Sequence, residues 1–567
     1  MGAPTKWTAA WLVLAAAGCK STAGTGVPDA AVTAAPLDCA ADSGDWPMYG
    51  QNLCNTRTAQ SSPITPQTAP GLAVRWTFAA AGDISATPAV VGGQLFFTDW
   101  GGMMNCIDAQ TGQAVWTRSV AAILGDEGDA GDAGDDAEAP AIAAADAQAP
   151  SLSLGSSAVT GIVARGTPIV TANLVIFGVA TAGNARMVAV NRSTGALAWQ
   201  TLLDPHPYAL IASSPALDGN VVYVGVSSGE EGASLLDPSY TCCTFRGSVA
   251  ALDATSGAIL WQTPTIDDDV YRTADGSLSG YAGSAVWSGT PTVDHKRNAL
   301  YITTGNNYSE PPAQADSGQP LPEGDRIESI LALDLTTHAV RWSQRMTSGD
   351  VWNFARFGNH DYDFGCGANL FQADIGGAIH DVVGAGQKSG VYWAVDADTG
   401  TTLWQTQVGP GGHLGGIHWG TAVDGVRVYA GVNDESGTAY TLGGSGPKAG
   451  TPTTVGSWAA LDPATGETLW QVANPSMTAP LNGASVNGPL ATVNGVVFAG
   501  SMDADGTMFA LNAATGDVLW SFKSGATVYG GPAIVGGVVY WGNGYPSSRL
   551  LFGTPGGTMY AFSVPGD

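Results

Sequence analysis

The sequence predicts an all-β protein, an eight-bladed β-propeller, and three observations support this fold class. Glycine accounts for 78 of the 567 residues while charged residues make up only 12%, a mix that suits many short strands joined by tight turns. One ten-residue phrase ending in Trp recurs along the chain. A further Trp strand near the N-terminus has no inner strands beside it. Together these features favour a closed ring of four-stranded units over a helical protein.

The recurring phrase joins an apolar strand end, a turn that begins with Asp or Asn, and a second strand that carries Trp. "IDAQTGQAVW" ends at Trp116 and "LNAATGDVLW" at Trp520, and five similar phrases end at Trp199, Trp261, Trp342, Trp404 and Trp470. Upstream of most copies, patterns such as "TPAVVGGQLFFTD" supply two further strands around a glycine turn. The interval ranges from 50 residues (Trp470 to Trp520) to 83 residues (Trp116 to Trp199). Four strands per unit predict propeller blades whose Trp docks onto the neighbouring blade.

The eighth unit is divided between the two ends of the sequence. "GGPAIVGGVVYWGN" and "GTMYAFSV" provide inner strands near the C-terminus, but no Trp strand follows them. "GLAVRWTFAA", with Trp76, supplies an outer strand from near the N-terminus. Joining these segments in one blade closes the ring and removes exposed sheet edges. A β-solenoid or two smaller propellers are the alternatives, and the unpaired Trp76 strand weighs against both.

Three segments differ in composition from the propeller, which we place at residues 43–567. Residues 1–19 combine one Lys, a short apolar stretch and small residues ending at Cys19, which predicts a lipoprotein-type signal peptide for export. The small residues of the segment 20–42 predict a flexible tether. The segment of about 125–150 carries eight acids between Asp126 and Asp146 without apolar periodicity, and we expect a disordered surface insert. The protein is therefore expected in the periplasm or at the outer membrane or cell surface, touching the membrane only through a lipid on Cys19.

The net charge argues against one class of partner, and the cysteine count bears on disulfides. The net charge of −27, with only 21 Lys and Arg, argues against nucleic acid, whose phosphates are bound by basic side chains. Six cysteines remain after Cys19, an even number in a compartment that permits disulfides. These six are Cys39, Cys54, Cys106, Cys242, Cys243 and Cys366. The sequence does not decide how they pair.

The Asp-x-x-Thr-Gly-x-x-x-Trp repeat resembles that of the quinoprotein alcohol dehydrogenases, eight-bladed propellers that bind pyrroloquinoline quinone (PQQ) and calcium on the central axis. Three stretches are similar to the branch of that family that oxidises polyvinyl alcohol: "DWPMYGQNLCNTRTA" at 45–59, "CCTFRGSVAALDA" at 242–254 and "GGIHWGTAVDGVRVYAGV" at 415–432. The resemblance implies oxidation of polymeric or secondary alcohols by hydride transfer to the quinone. A non-catalytic lipoprotein of outer-membrane assembly shares this propeller, so the axial loops decide between the two functions.

No Cys-x-x-Cys-His motif for covalent haem occurs in the chain. Electrons would therefore leave to an external acceptor such as a cytochrome c.

The resemblance implies a calcium site built from two loops. In "VSSGEEG" the matching calcium ligand is Glu231, with Ser228 and Gly229 near the quinone, and in "TTGNNY" the second ligand is Asn306. Calcium takes hard oxygen ligands and the quinone supplies some of them, so few protein carboxylates suffice. An isolated pair of acids in a turn is more often simply solvated.

The resemblance also implies how the quinone ring and the substrate are held. Trp287 in "AVWSGTP" would form the floor beneath the flat ring. Asp363 in "HDYDFG" would take the hydroxyl proton as hydride moves to the quinone, because a general base has to reach that hydroxyl. Asp361 and His360 are its nearby rivals.

Two basic residues complete the expected cofactor site. Lys388 in "GQKSG" would contact the quinone carbonyl and stabilise negative charge developing on its oxygen. Arg165 in "VARGTP" would form a bidentate pair with a quinone carboxylate. Each residue alone is more typical of an exposed loop charge. Their occurrence in family order with the other site residues favours the cofactor site.

The adjacent Cys242 and Cys243 resemble the sequential cysteines whose disulfide caps the quinone face opposite the Trp in related enzymes. Pairing with distant cysteines is the alternative. Three positions depart from the family pattern: Cys366 stands where a small residue is usual, Ala212 where a Thr is frequent, and His418 where methanol-oxidising relatives have an amide residue.

Overall fold

The computed structural model describes residues 37–39, 44–59, 62–125, 162–233, 237, 239–315, 319–355, 360–477, 485–545 and 553–565. Residues 36–567 form one compact unit. The predicted signal peptide, most of the tether and nearly all of the acidic insert lie outside the described residues. Within the described ranges, no helix is both long and apolar enough to cross a membrane.

Eight antiparallel four-stranded sheets form the blades, and in blades 1 to 7 the strands run from the innermost to the outermost in chain order. Blade 1 contains Ala89–Val91, Gln94–Thr98, Met103–Asp108 and Ala114–Ser119. Blade 2 contains Ile169–Val170, Leu174–Gly178, Ala185–Asn191 and Leu197–Asp204. Blade 3 contains Ala216–Asp218, Val221–Ser228, Ser248–Asp253 and Ile259–Pro264. Blade 4 contains Thr292–Asp294, Ala299–Thr303, Ser329–Asp334 and Val340–Arg345.

The second half of the ring repeats this pattern. Blade 5 contains Asn369–Ile375, Ala378–Gly386, Val391–Asp396 and Thr402–Gln407. Blade 6 contains Ala422–Val423, Val428–Asn433, Ser457–Leu461 and Thr468–Ala473. Blade 7 contains Ala491–Val493, Val496–Gly500, Thr507–Asn512 and Val518–Lys523.

Short strands and helical turns decorate the blades. The additional strands are Ala209–Leu210, Ala282–Gly283, Asn307–Ser309, Gly365–Cys366, Gly416–Trp419, Tyr440–Thr441 and Pro452–Thr453. Helical segments among the described residues are Val120–Gly125, Asp268–Tyr271 and Pro312–Ala315, with 3-10 turns at Ala69–Gly71 and Glu230–Gly232.

Blade 8 closes the ring as predicted. Its inner strands Ala533–Val535, Val538–Gly542 and Thr558–Ser563 are followed by Ala73–Ala79 as the outermost strand, which pairs antiparallel with Thr558–Ser563. The first long strand of the chain thus completes a sheet begun by the last three. This pairing confirms the eight-bladed ring over the solenoid and the two smaller propellers.

The outer-strand tryptophans dock each blade onto the next. We call these tryptophans, together with the repeat turns beneath them, the docking girdle. Seven indole N–H groups donate to a backbone oxygen of the neighbouring blade at 2.9–3.3 Å. The pairs are Trp76 with Ala109, Trp116 with Arg192, Trp199 with Ala254, Trp342 with Ala397, Trp404 with Pro463, Trp470 with Ala513 and Trp520 with Leu72.

The glycine of the repeat lies directly beneath these indoles. Gly257 has φ +72°, and a Cβ there would come 2.4 Å from the Trp199 ring. A side chain would therefore meet both backbone strain and an aromatic face. Blade 4 departs from the rule with His338 at φ 62°, whose imidazole stacks on Trp261 at 4.8 Å between ring centroids.

Residues 44–59, the stretch containing "DWPMYGQNLCNTRTA", run along the innermost strands of six blades. Backbone hydrogen bonds join this segment to one residue in each of these blades. The pairs are Trp46 with Val90, Pro47 with Val170, Leu53 with Val293, Cys54 with Leu370, Thr56 with Val423 and Ala59 with Thr492. Arg57 is fully buried and donates to the carbonyls of Tyr49 and Leu490. The disulfide Cys39–Cys54 ties this segment to the residues preceding it.

Candidate active site

Strand direction brings the predicted site residues to one end of the propeller. In an antiparallel blade, the start of the first strand and the end of the second lie at the same end. Trp287 and Asp363 precede the first strands of blades 4 and 5, while Glu231, Asn306 and Lys388 follow the second strands of blades 3, 4 and 5. These five residues and Asp361 are called the axial cluster.

Lys388 is the cation at the centre of the axial cluster. Its Nζ lies 2.9 Å from Asp361 Oδ1, 3.5 Å from Asp363 Oδ2 and 5.0 Å from the centroid of the Trp287 ring. Burial lowers the pKa of Lys388, but the attraction of Asp361 and Asp363 outweighs burial and holds this pKa above its usual range. The ammonium group is therefore charged and is held between two carboxylates.

Asp363 is fixed from two sides. The backbone N–H of Asn306 donates to Asp363 Oδ1 at 2.7 Å, while Oδ2 faces Lys388. Asp361 is also buried, and burial raises its pKa to about 7 against the opposing attraction of Lys388. His360 is exposed and stacks on Tyr362 at 4.6 Å. Asp361 and Asp363 thus both meet the central cation, and Asp363 has the additional backbone contact.

Two oxygen-bearing side chains of the axial cluster are suited to a hard cation. Asn306 uses its Nδ2 to donate to the carbonyls of Asn307 and Trp352, and its buried Oδ1 has no partner among the described residues. The half-buried Glu231 carboxylate accepts no hydrogen bond from the described part of the chain, and burial followed by repulsion from Asp361 raises its pKa to about 8. No group of three His, Cys, Asp or Glu in the described residues is arranged to hold a metal.

Two further buried acids, Glu328 and Asp350, lie near enough to the axial cluster to be repelled by Asp361 and Asp363. Gln387, next to Lys388, donates to Glu328 Oε2 at 3.0 Å, and the Tyr362 backbone N–H donates to Asp350 Oδ2 at 2.6 Å. Burial raises the pKa of both carboxyls, to about 8 for Asp350, with repulsion from Asp363 adding to the effect. Neither residue belongs to a motif identified in the sequence, and only the fold brings them to the axial cluster.

The aromatic part of the site extends from Trp287 to a second indole. Trp419 meets Trp287 edge to face, with ring centroids 5.3 Å apart, and the Trp287 Nε1 has no partner among the described residues. The Arg165 guanidinium lies 4.3 Å from the Trp419 ring centroid and 5.6 Å from that of Trp100. Arg165 is therefore linked to Trp287 through Trp419, a contact that the sequence did not predict.

A small cavity of about 20 Å³ opens beside Arg165. Its lining includes Ser85, Thr87, Thr167, Ala212, Ser214 and Trp419, without a carboxylate among the lining residues. The buried Thr167 Oγ1 has no partner in the described part of the chain. This wall offers a guanidinium and several hydroxyls, a set of donors that favours an anionic group.

Cys242 and Cys243 are disulfide-bonded to each other, whereas Cys106 and Cys366 are buried free thiols. The alternative pairing of the adjacent cysteines with distant ones is not what the structure has. Glu230, beside Glu231, is fully buried and accepts the N–H of Thr244, which follows the cysteine pair, at 2.7 Å. Burial raises the pKa of Glu230, but the nearby His206 imidazole, together with hydrogen bonds from the Tyr240 hydroxyl and the Phe245 N–H, outweighs burial and holds this pKa below its usual range.

Ser228 and Gly229, and also His418, which departs from the family pattern, have structural partners. Ser228 Oγ accepts the Glu230 N–H at 2.9 Å, so Ser228 and Gly229 lead into the turn that carries Glu231. His418 is buried with Nε2 2.7 Å from the Gly415 carbonyl, and burial lowers its pKa to about 3. His418 is therefore a neutral hydrogen-bond donor to the backbone.

Comparison with known families matches two parts of the chain. A family model described as "Glucose/ethanol/alcohol dehydrogenase, beta-propeller domain" matches residues 204–410, which contain every predicted site residue except Arg165. A model described as "Outer membrane protein assembly factor BamB" matches residues 455–564.

Individual proteins resemble the chain over most of its length. It is 30% identical to the polyvinylalcohol dehydrogenase of Sphingopyxis sp. (strain 113P3), covering 95% of this chain and 79% of that one. It is 29% identical to the polyvinylalcohol dehydrogenase of Pseudomonas sp, covering 92% and 77%. The quinohemoprotein alcohol dehydrogenase structure from Comamonas testosteroni has a TM-score of 0.66 at 21% identity, covering 93% of this chain and 81% of that one, which supports the fold.

Proposed function

The chain belongs to the family of quinoprotein alcohol dehydrogenases, and from that premise we propose that it oxidises secondary or polymeric alcohols with PQQ and calcium held on the propeller axis. As a member of this family it is an oxidoreductase that acts on alcohols with an acceptor other than NAD. Polyvinyl alcohol is the favoured substrate because the relatives of 29% and 30% identity carry that name. The electrons pass to an external acceptor such as a cytochrome c.

The observation that carries the proposal is the axial cluster, in which one buried cation meets two carboxylates above an indole. Cofactor binding would use groups that the described residues leave available. The free Oδ1 of Asn306 and the carboxylate of Glu231 suit calcium, which takes about six to eight oxygen ligands. Two protein ligands leave the remaining positions to the cofactor and water.

The residues around Trp287 and Arg165 suit a flat anionic cofactor. Trp287 offers a ring face for stacking, and the Cys242–Cys243 disulfide is proposed to cover the opposite face. Arg165 and the hydroxyl-lined cavity provide donors for carboxylates. When bound, the cofactor pair would supply a hydride acceptor polarised by a divalent cation.

The protein's own residues would orient the alcohol and remove its proton. Asp363, fixed by the Asn306 N–H, accepts the hydroxyl proton of the substrate. Lys388 stabilises negative charge at the oxygens around it, since its ammonium group is buried and charged. Asp361 holds Lys388 in place at 2.9 Å. Because Asp361 touches the same ammonium group, it is the rival base.

Reconstitution of the purified protein tests this function. Dye-linked oxidation of a small secondary alcohol and of polyvinyl alcohol should require both PQQ and Ca²⁺ and should disappear on chelation. Full activity without quinone, or in excess chelator, would contradict the proposal. A non-catalytic scaffold is the alternative, and its support is the match of residues 455–564, which lies outside the loops of the axial cluster. The lipid anchor at Cys19 and export remain predictions of the sequence.

A further inference from the structure

The adjacent acids Glu230 and Glu231 occupy opposite environments. Glu231 is half-buried and its carboxylate is without a hydrogen bond from the described residues, whereas Glu230 is 0% exposed and its carboxylate is crowded with donors. The donors to Glu230 are the Tyr240 hydroxyl at 2.5 Å, the Thr244 N–H at 2.7 Å, the Thr244 hydroxyl at 3.2 Å and the Phe245 N–H at 2.7 Å. His206 Nε2 lies 3.6 Å from the same carboxylate.

These donors stand on both sides of the cysteine pair. Tyr240 precedes Cys242 and Cys243, while Thr244 and Phe245 follow them directly. The Phe245 ring stacks on Tyr308 at 6.2 Å, and the Tyr308 hydroxyl reaches the Ser228 carbonyl at 3.4 Å. One carboxylate therefore holds the disulfide loop at its start and at its end.

The backbone of Glu230 belongs to a second element, the 3-10 turn Glu230–Gly232. Ser228 Oγ accepts the Glu230 N–H at 2.9 Å, and the Glu231 carbonyl accepts the Phe354 N–H at 3.1 Å. Any displacement of Glu230 would move Glu231, because the two are joined by one peptide bond. The side chain and the backbone of Glu230 thus join two elements that the sequence separates by about ten residues.

We propose that Glu230 is a positioning residue that locks the Cys242–Cys243 loop to the turn carrying Glu231. The disulfide and the Glu231 carboxylate then keep a fixed relation at the mouth of the propeller. The part of this inference that concerns calcium rests on the proposed function, whereas the clamp on the cysteine loop does not.

The nearly isosteric substitution Glu230→Gln isolates this role. A Gln amide presents N–H groups where the carboxylate accepts two backbone N–H groups, so at least one buried donor loses its partner. The matched control is Asp503→Asn in blade 7. Asp503 also follows a second strand, its N–H is accepted by Ser501 Oγ at 3.1 Å, and its buried carboxylate accepts the Thr507 N–H at 3.1 Å.

The first measurement follows the two disulfides in the full-length protein under limiting phosphine reductant with alkylation and peptide mass spectrometry. In Glu230→Gln, Cys242–Cys243 should be reduced about tenfold faster because local opening becomes easier. Cys39–Cys54 in the same sample should react at its wild-type rate, and Asp503→Asn should leave both rates unchanged. Tyr240→Phe removes one donor only and should give a rise of about threefold, which keeps the test available if Glu230→Gln does not fold.

The second measurement is calorimetric titration of the quinone-free protein with Ca²⁺ alone. Loss of a residue that orients a ligand should weaken Ca²⁺ affinity by about tenfold in Glu230→Gln, with Asp503→Asn unchanged. Equal acceleration of both disulfides, or an unchanged rate at Cys242–Cys243, would overturn the clamp. If the wild-type protein binds no Ca²⁺ while the disulfide result holds, the calcium assignment of the proposed function fails and the clamp stands.

Discussion

The docking girdle and the axial cluster use the same chemical groups in opposite ways. Seven indole N–H groups of the girdle donate to the neighbouring blade, and the repeat glycines leave space for the rings above them. In the axial cluster, Trp287 Nε1 and Asn306 Oδ1 are buried without a partner among the described residues. Each such group costs about 1–3 kcal/mol.

This difference indicates which region is complete without a ligand. The girdle makes its hydrogen bonds within the protein, so its residues act on stability. The axial cluster holds two acids with raised pKa, Glu231 and Asp361, and an Asn306 oxygen unpaired within the described residues, an arrangement that destabilises the fold unless a bound group uses it. A substitution in the girdle should therefore lower stability without changing turnover. A substitution in the axial cluster should change turnover or ligand binding without lowering stability.

The largest effect is expected for Asp363→Asn. Turnover of a secondary alcohol should fall by about 10²–10⁴-fold, since the amide cannot accept the hydroxyl proton. The melting temperature and the PQQ content after reconstitution should stay close to wild type. The matched variant Asp361→Asn should lower turnover less and should instead loosen Lys388. If Asp361→Asn is the more damaging of the two, the base is Asp361.

A girdle substitution should give the converse result. Gly257→Ala forces a side chain into φ +72° and to 2.4 Å from the Trp199 ring, at a cost of about 1–3 kcal/mol of strain. Thermal unfolding should shift downward while the kcat of the protein that remains folded is unchanged. The control His338→Gly, at the equivalent turn, relieves φ 62° but removes the stack on Trp261, and its net effect should be smaller. A loss of kcat in Gly257→Ala at constant stability would break the distinction.

The docking girdle and the surroundings of the axial cluster, which include Asp350, should also differ in how pH changes stability. Burial raises the pKa of Asp350 to about 8, so its contribution is fully present below the unfolded pKa of about 4 and is lost as pH rises through 8. Hydrogen bonds, foremost from the Thr111 hydroxyl, lower the pKa of the girdle residue Asp108, whose contribution is present above pH 4 and is lost as pH falls through its folded pKa.

The measurement is the melting temperature of the cofactor-free protein in chelator, from pH 4.5 to pH 8.5. This range covers about the span between the pKa of Asp350 in the unfolded chain and its pKa in the folded protein. Asp350→Asn should reduce the fall of stability toward pH 8.5 by roughly 1–3 kcal/mol. Asp108→Asn should leave that fall unchanged. A wild-type slope equal to that of Asp350→Asn would show that this carboxyl does not carry the effect.

The girdle could be predicted from the sequence because its contacts repeat at fixed spacing. The Asp-x-x-Thr-Gly turn and the Trp that follows are local, and the unpaired Trp76 strand indicated the closing sheet. The disulfide between Cys242 and Cys243 was one of two open pairings, since sequence spacing cannot decide which thiols meet.

The axial cluster could be predicted only in part. The family resemblance named Lys388 and Asp363, which meet in the structure, but it named neither Glu328 nor Asp350. The fold brings these acids next to the site, and no local sequence motif marks either of them. In the sequence, Glu230 and Glu231 are two similar acids in one turn, and only the fold shows that the first carboxylate accepts several hydrogen bonds while the second accepts none from the described residues.

Ring closure by the first and last strands has a consequence for synthesis. Ala73–Ala79 leaves the ribosome about 480 residues before its partner Thr558–Ser563. At roughly 5–20 residues per second, that strand waits about 25–100 s with an unpaired edge and an undocked Trp76. During that time the nascent chain presents a template for pairing with other chains. Rapid, uninterrupted synthesis and a chaperone that covers this edge should therefore raise the yield of folded protein.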